Sequence, residues 1–435
     1  MAARGVRHFV AATAVVAVAA YIAIYTFSFA DAPIRSDGYS YYVYLPATFI
    51  YGDPSLEALS RDWYGGAFPE FTAIRRYPPT GRWLDACPIG AALLMFPFFG
   101  VGHLLSWWSN LPRDGFSFYY QHAAGLAGVT YFLCGLAIVR SMLRQRFSEG
   151  VVLATLVALT WGTNLFHYGT FDATFSHAFS FCLICGWIVL VDRWWERPAA
   201  LGSAALGAVA GLILLTRNLN AIFLLVLPLY GMTGMTTPID MRRRIHALWQ
   251  RRAALTLAAI VGMSVLLPQF VLYKWTTGSW FVNSYQLLSN RFAFGSPRLA
   301  AVLFSTQKGL FFWSPLLLLA VAGAFVARGW ARGLVAAAAT VFALQAYIVA
   351  SWSDWQLGGS YGSRAFTDGL GLAAPLVASC FEWAAARRHV RTWIAAFAAA
   401  AVLLSVVQMV QYWNGIIPFA GTTWAQYRSV FLRVR

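Results

Sequence analysis

Pro88–Trp108 reads PIGAALLMFPFFGVGHLLSWW, and the topology of the whole chain turns on whether this stretch crosses the membrane. It is apolar enough to do so, since a helix of roughly 20 apolar residues spans a bilayer. Its consequences for the flanking charges decide the matter. If it crosses, the basic run Arg140, Arg144, Arg146 falls on the opposite side from Arg242–Arg244. If it lies in the interface or re-enters, every short basic loop falls on one side: Arg4/Arg7, Arg140–Arg146, Arg193/Arg197, Arg242–Arg252, Arg328/Arg332 and Arg387–Arg391. Positive charge in short loops marks the cytoplasmic face. Pro88, Pro97 and the terminal Trp107-Trp108 also suit a membrane-surface helix.

Working outward, apolar runs recur over 9–30, 119–139, 151–168, 173–191, 201–216, 219–234, 253–273, 309–327, 333–350, 369–385 and 392–412. The expected fold is therefore all-α, a polytopic transmembrane bundle of about eleven spans. The N-terminus is inside and the C-terminus outside. The whole chain, 1–435, forms a single integral membrane domain. A long first outer loop, 31–118, carries juxtamembrane helices, and 413–435 is an outer tail. The 201–216 and 219–234 pair is short and can tilt or dip in without changing parity. Arg4 and Arg7 before the first run resemble a signal peptide, but the full-length apolar stretch favours a retained span.

Composition agrees. Of 435 residues 59% are hydrophobic and 11% charged, against about 25% charged in a soluble domain. The net charge is +16, with Lys274 and Lys308 the only lysines. The arginines sit mostly at span ends, where they orient the chain and meet anionic lipid, so no nucleic-acid partner is expected. Cys182-x-x-Cys185 falls on an apolar helix with no redox-fold context and reads as packing, as does Gly207-x-x-x-Gly211. There is no P-loop, G-x-G-x-x-G or H-E-x-x-H.

Four polar groups fall on the outer side. The 31–118 loop holds eight of the 16 acids. Asp37, in Ser36-Asp37-Gly38-Tyr39-Ser40-Tyr41-Tyr42, follows the first span and precedes an aromatic helix. A carboxylate there suits a general base acting on a hydroxyl, and equally a helix cap. Asp172 stands at an outer turn with His167 before it and His177 one helical turn beyond. It reads as a cap or as one half of an Asp–His pair. Two candidate ligands do not define a metal site, so a divalent metal ion stays an open alternative. The 352–366 loop combines Trp352, Asp354, Trp355, Tyr361 and three glycines, in the manner of a sugar-binding lining, with Arg364 as a fork for phosphate. Arg75, Arg76 and Arg82 lie late in the first loop, and Lys308 and Arg217 at outer helix ends. All five suit a lipid phosphate or plain interfacial anchoring.

This layout resembles the C-type membrane glycosyltransferases, in particular the bacterial branch of the aminoarabinose lipid A transferase and the protein O-mannosyltransferases. Asp37 stands where that family has an acid soon after span one. Arg75, Arg76, Pro78 and Pro79 match its basic, proline-rich stretch in kind, and Asp172 its acid at a later outer turn. Many members carry Asp-Glu in the first loop where this chain has Asp37-Gly38, which weakens a paired-acid metal site. The resemblance implies a polyprenyl-phosphate sugar donor and inverting transfer on the outer side of the bacterial cytoplasmic membrane. The acceptor would be an envelope glycan, lipid or protein. Asp37 would be the base, with Asp172 beside it. Arg75, Arg76, Arg82, Lys308 and Arg364 would be phosphate ligands, and Tyr41, His177, Trp352, Asp354, Trp355 and Tyr361 the acceptor or sugar contacts. A multi-span transporter or lipid flippase is the alternative, although its charges would be expected near mid-membrane.

Overall fold

The computed structural model describes residues 2–26, 32–232 and 238–434. The end of the first expected span (27–30), Asp31 and the end of the 219–234 span lie outside them, as do the side chains of Arg4 and Arg7. The chain is helical almost throughout. Helix α1 (Ala2–Thr26) leads to short α2 (Asp37–Tyr42), α3 (Tyr44–Phe49) and α4 (Glu57–Tyr64). A two-stranded antiparallel ribbon, β1 (Ile74–Arg76) and β2 (Trp83–Asp85), precedes α5 (Gly90–Trp108). Then come α6 (Phe118–Leu143), α7 (Glu149–Trp161), α8 (Leu165–Thr170), α9 (Ser176–Glu196) and α10 (Ala200–Thr216). A 3-10 segment, Asn218–Leu225, runs into α11 (Val226–Leu229), followed by α12 (Pro238–Gln250) and α13 (Arg252–Thr277). The rest is α14 (Leu299–Phe304), α15 (Leu310–Trp313), α16 (Leu318–Val326), α17 (Gly329–Ser351), α18 (Leu370–Ala385), α19 (Arg388–Trp413) and α20 (Trp424–Val430).

Among the described residues, seven helices are long and apolar enough to cross a membrane, and four shorter apolar helices accompany them. The protein is a multi-pass helical membrane protein. Helices that are apolar on every side have no stable place in water. Their packing rests on glycines that let backbones touch. A Cβ at Gly207 would lie 2.0 Å from the Ala258 carbonyl oxygen, and one at Gly128 would lie 1.7 Å from that of Ala173. At Gly323 the corresponding atom is the Leu376 carbonyl oxygen, at 1.8 Å. Next along the same pairs, Gly211 meets Gly262, and Gly135 meets Phe181 and Cys182. Residue numbers rise together, so α10 lies parallel to α13 and α6 parallel to α9.

The two ends of the bundle differ in chemistry. At one end Arg146 pairs with Asp192 at 2.8 Å and lies over Trp330, whose Nε1 also donates to Asp192. Tyr230 donates to the same carboxylate, and Arg244 and Arg251 cover Trp195. This end therefore gathers the basic loops. The other end carries Asp37, Asp172, Asp368 and their arginines.

Helix α5 has the length and composition of a span, yet both of its ends belong to the Asp37 end of the bundle. Its entry lies against the C-terminal part of α13: Thr80 donates to the Thr276 carbonyl (2.8 Å), Arg82 to that of Trp275, and Ile89 N–H to Gln269 (2.9 Å). Its exit lies against α2 and α3, where Tyr42 donates to the Gly115 carbonyl at 2.6 Å and Pro46 packs on Gly115.

The glycine contacts predict that Gly207→Val, which drives a side chain into the α13 backbone, lowers stability by about 1–3 kcal/mol. Gly202→Ala, at a glycine with open space around it, should leave thermal unfolding in detergent unchanged. Equal behaviour of the two variants would mean that the close approach does not hold the pair.

Candidate functional site

The backbone after α1 is clamped before it reaches Asp37. Ile34 N–H donates to Gln121 (2.9 Å), and Thr174 donates to the Pro33 carbonyl (2.8 Å). Gly38 lies so close to Thr174 that a Cβ would come within 2.1 Å of its hydroxyl. Ser36 takes φ +47°, a strained value for a residue with a side chain. Ser36, not Asp37, is the cap of α2, and no side-chain capping bond forms. The Asp37 carboxylate instead turns to Arg364, with Nη1 to Oδ2 at 2.7 Å.

Arg364 reaches this point from the 352–366 loop, which is held from several sides. Tyr168 Oη and Tyr361 bond reciprocally at 3.1 Å, Tyr361 Oη donates to the Ser405 carbonyl (2.9 Å), and Gln345 donates to that of Ala365 (2.7 Å). Gly362 has φ +60° against the Trp313 side chain, a position a larger residue would not fit. Burial works against the Arg364 charge, and Asp37 beside it more than restores it, so the group stays cationic. Its Nε is buried with no partner.

Two further ion clusters flank this pair. Asp172 accepts from Arg35 (3.1 Å) and from His167 Nε2 (2.9 Å). Trp413 Nε1 donates to His167 Nδ1 at 2.9 Å, which assigns the imidazole proton to Nε2. Burial pushes the Asp172 carboxyl up, but His167 and Arg35 outweigh it and hold it at about 2. Deeper, Asp368 is fully buried, touched by His177 Nδ1 (2.7 Å) and Arg217 Nη1 (3.3 Å). Arg217 also approaches His177 Nδ1 at 3.0 Å. One ring nitrogen cannot donate to the carboxylate and accept from the guanidinium at once. The shorter Asp368 contact assigns Nδ1–H as donor.

Arg217 lines a cavity of about 440 Å³ whose walls are mostly apolar, Leu219, Ile222, Phe292, Ile348 and Val349 among them, with Asn218, Asn283 and Tyr285 as further polar groups. A second cavity of about 470 Å³ shares Asn283, Tyr285, Phe292 and Trp352 with it and adds Gln286, Ser289, Asn290 and Arg291. Tyr41 is buried, and Tyr285, which lines both cavities, and Arg217 are among the groups whose charge acts on it. Asp85 is buried beside them with one oxygen unpartnered, and burial pushes its carboxyl well up.

The expected site residues divide accordingly. Asp37 and Arg364 meet; Asp172 is within their electrostatic reach. Trp352 lines both cavities. His177 is buried, with its Nδ1 engaged by Asp368 and approached by Arg217. Trp355 and Tyr361 are buried, Tyr361 against His167, Trp313 and Tyr412, and Asp354 accepts from Gly358 N–H within its own loop. Arg75, Arg76 and Arg82 use their donors locally: Arg75 on the Glu70, Thr72 and Ile74 carbonyls, Arg76 on Glu57 and Gly81, and Arg82 on Trp275. They hold the first loop together rather than joining the Asp37 centre. Lys308 is buried and donates to the carbonyls of Ser360 and Phe419. Burial and the Arg364 charge bring it down to about 7. Among the described residues no group of three or more His, Cys, Asp and Glu side chains could hold a metal ion. Arg35 and Asp368 were not anticipated. Their one sequence signal is a charge at the edge of an apolar run.

No family model matches this chain, and no curated protein matches its sequence.

Asp172→Asn strips the negative charge from two buried partners and should cost about 3 kcal/mol in chemical unfolding. The Asp172→Asn/Arg35→Met double variant should lose less than the sum of the single losses; strict additivity would show the pair uncoupled. Lys308 titrates lower in the folded protein than the ordinary lysine value of about 10.4. Its charge therefore penalises folding below pH 7, and the penalty fades as pH rises from 7 toward 10. Wild type should gain stability over that window relative to Lys308→Met; parallel pH profiles would refute the assignment.

Proposed function

We propose that the protein is a membrane glycosyltransferase. It moves a sugar from a polyprenyl-phosphate donor to an acceptor hydroxyl on the outer side of the bacterial cytoplasmic membrane. The observation that carries this reading is the Asp37–Arg364 pair, a half-exposed carboxylate on a buried guanidinium. A mostly apolar cavity that Arg217 lines accompanies it. An isoprenoid chain is apolar and ends in phosphate, and the cavity lining combines apolar side chains with one cation, Arg217. The second cavity, with amides, a hydroxyl, Arg291 and the Trp352 face, suits the polyhydroxyl part of an acceptor.

The topology in this reading has eleven spans, with α5 dipping into the outer leaflet. Both ends of α5 at the Asp37 end support it, as do the parallel pairs. Spans separated by one intervening pass must run the same way, as α6 and α9 do, and likewise α10 and α13. The basic end is then cytoplasmic by its charge.

In the transfer, Asp37 accepts the proton of the acceptor hydroxyl while the oxygen attacks the anomeric carbon. The bond from that carbon to the phosphate oxygen breaks, the polyprenyl phosphate leaves with the electron pair, and configuration inverts. Arg364 and Arg217 meet the charge that grows on the leaving oxygen, the largest electrostatic demand of such a reaction. Asp172 serves by fixing Arg35, two residues before the base, and Asp368 by aiming Arg217. No step is routed through a metal ion. A transporter would be expected to keep charges along a mid-membrane path, whereas the ion clusters here sit at the bundle ends.

The apo contact has a kinetic consequence. Asp37 and the donor phosphate compete for Arg364, so phosphate binding frees the base. Asp37→Asn should reduce transfer by roughly 10²–10⁴-fold, yet bind a fluorescent polyprenyl phosphate more tightly than wild type. The assay pairs purified protein with labelled polyprenyl-phosphate sugars. A variant that transfers at the wild-type rate would remove Asp37 from the chemistry.

A further inference from the structure

Helix α12, Pro238–Gln250, has no part in the outer site and is divided into three sectors. Successive helical positions advance by about 100°. Arg244 and Leu248 fall on one side and face the bundle: Arg244 donates to the Tyr230 carbonyl and lies 4.3 Å over Trp195, and Leu248 packs on the core. Met241, Ile245 and Trp249 recur every fourth residue, within an arc of about 80°. They are exposed at 41%, 59% and 66%, and among the described residues only the Arg252 guanidinium, 5.5 Å from the Trp249 ring centroid, lies over any of them. Arg242, Arg243, His246 and Gln250 form the third sector, all exposed.

The level of α12 relative to the bilayer follows from what comes next. A single residue, Arg251, separates it from α13, whose lipid-facing side is already apolar at Ile260, Met263 and Leu267, each more than half exposed. The hydrocarbon boundary therefore lies within about three turns of the α12 C-terminus. An amphipathic helix at that level, with an uncovered apolar sector next to a basic one, has the composition of an interfacial helix. Its charge complements anionic headgroups, not neutral ones.

We propose that α12 lies in the headgroup layer of the leaflet at the basic end of the bundle. Met241, Ile245 and Trp249 sink toward the acyl chains there, and Arg242 and Arg243 select anionic phospholipid. This inference is independent of the proposed chemistry, because it concerns the opposite end of the molecule.

The test uses the full-length protein in nanodiscs. Cys134 is the one exposed cysteine and is replaced by serine; Ile245→Cys then carries a bimane label. Nitroxides on phosphatidylglycerol, nitroxides on phosphatidylcholine and a water-soluble nickel chelate are compared as quenchers. Acyl-chain nitroxide should quench the label and the chelate should not. At equal mole fraction, phosphatidylglycerol nitroxide should quench more than the phosphatidylcholine form, because each arginine near the surface enriches anionic lipid on the order of fivefold. In an Arg242→Gln/Arg243→Gln background that preference should collapse while acyl-chain quenching persists. Free access of the chelate would overturn the proposal, as would shielding from every quencher, which would mean a protein partner or second copy covers the helix. Equal quenching by the two lipids in the parent protein would overturn the anionic selectivity.

Discussion

A charge inside the hydrocarbon of a bilayer costs ~2.5–3.5 kcal/mol even by the mildest measure, and that constraint arranges everything else in this protein. Helices that carry no charge on any face fill the middle, and ionised groups collect at the two ends. The ends then solve the same problem differently. At the basic end one carboxylate, Asp192, serves Arg146, Tyr230 and Trp330, while other arginines lie over tryptophan rings. At the opposite end three carboxylates each hold an arginine: Asp37 with Arg364, Asp172 with Arg35 and Asp368 with Arg217.

Those three pairs can form only because the helices approach closely. Gly128 lets the α6 backbone touch Ala173, next to Asp172, and Gly38 does the same for α2 against Thr174. Residues 172–174 thus lie against both α6 and the first loop, and Arg35 reaches Asp172 across that junction. A side chain at either glycine would push apart the elements that carry the acid and its partner. Packing without side chains and ion pairing are therefore one mechanism at this end, the first setting the distance that the second needs.

This explains what could be read from the sequence. All-α membrane architecture is legible from apolar run length, and the gathering of Asp37, Asp172 and Arg364 at one end of the bundle from their place at the edges of such runs. Position along the helix axis was therefore legible. Lateral neighbours were not, because the order of helices around a bundle depends on the glycine contacts between them and leaves no periodic trace. So Arg217 was recognised as a cation at a helix end, but Asp368 opposite it was not seen. His177 looked available for a ligand although Asp368 occupies it. Arg75, Arg76 and Arg82 mark a further limit. A basic run before an apolar helix has the same appearance whether it binds phosphate or ties down backbone carbonyls, and here each of Arg75, Arg76 and Arg82 engages at least one such carbonyl.

The three pairs at the Asp37 end are not equivalent, and they differ in burial and in the number of partners. Asp368 is wholly buried with two partners, and Asp172 is nearly so, again with two. Removing a partner from such a pair costs about 3–5 kcal/mol. Asp37 keeps 37% of its side chain exposed, so the carboxylate itself can be rehydrated, whereas the guanidinium it leaves needs another anion in its place. Arg364, by contrast, is almost enclosed and has an unpartnered Nε. In the transfer proposed above, a donor phosphate would take the place of Asp37 on that guanidinium and the carboxylate would turn into water. Of the three contacts, the Asp37–Arg364 pair is the one whose carboxylate is most open to solvent.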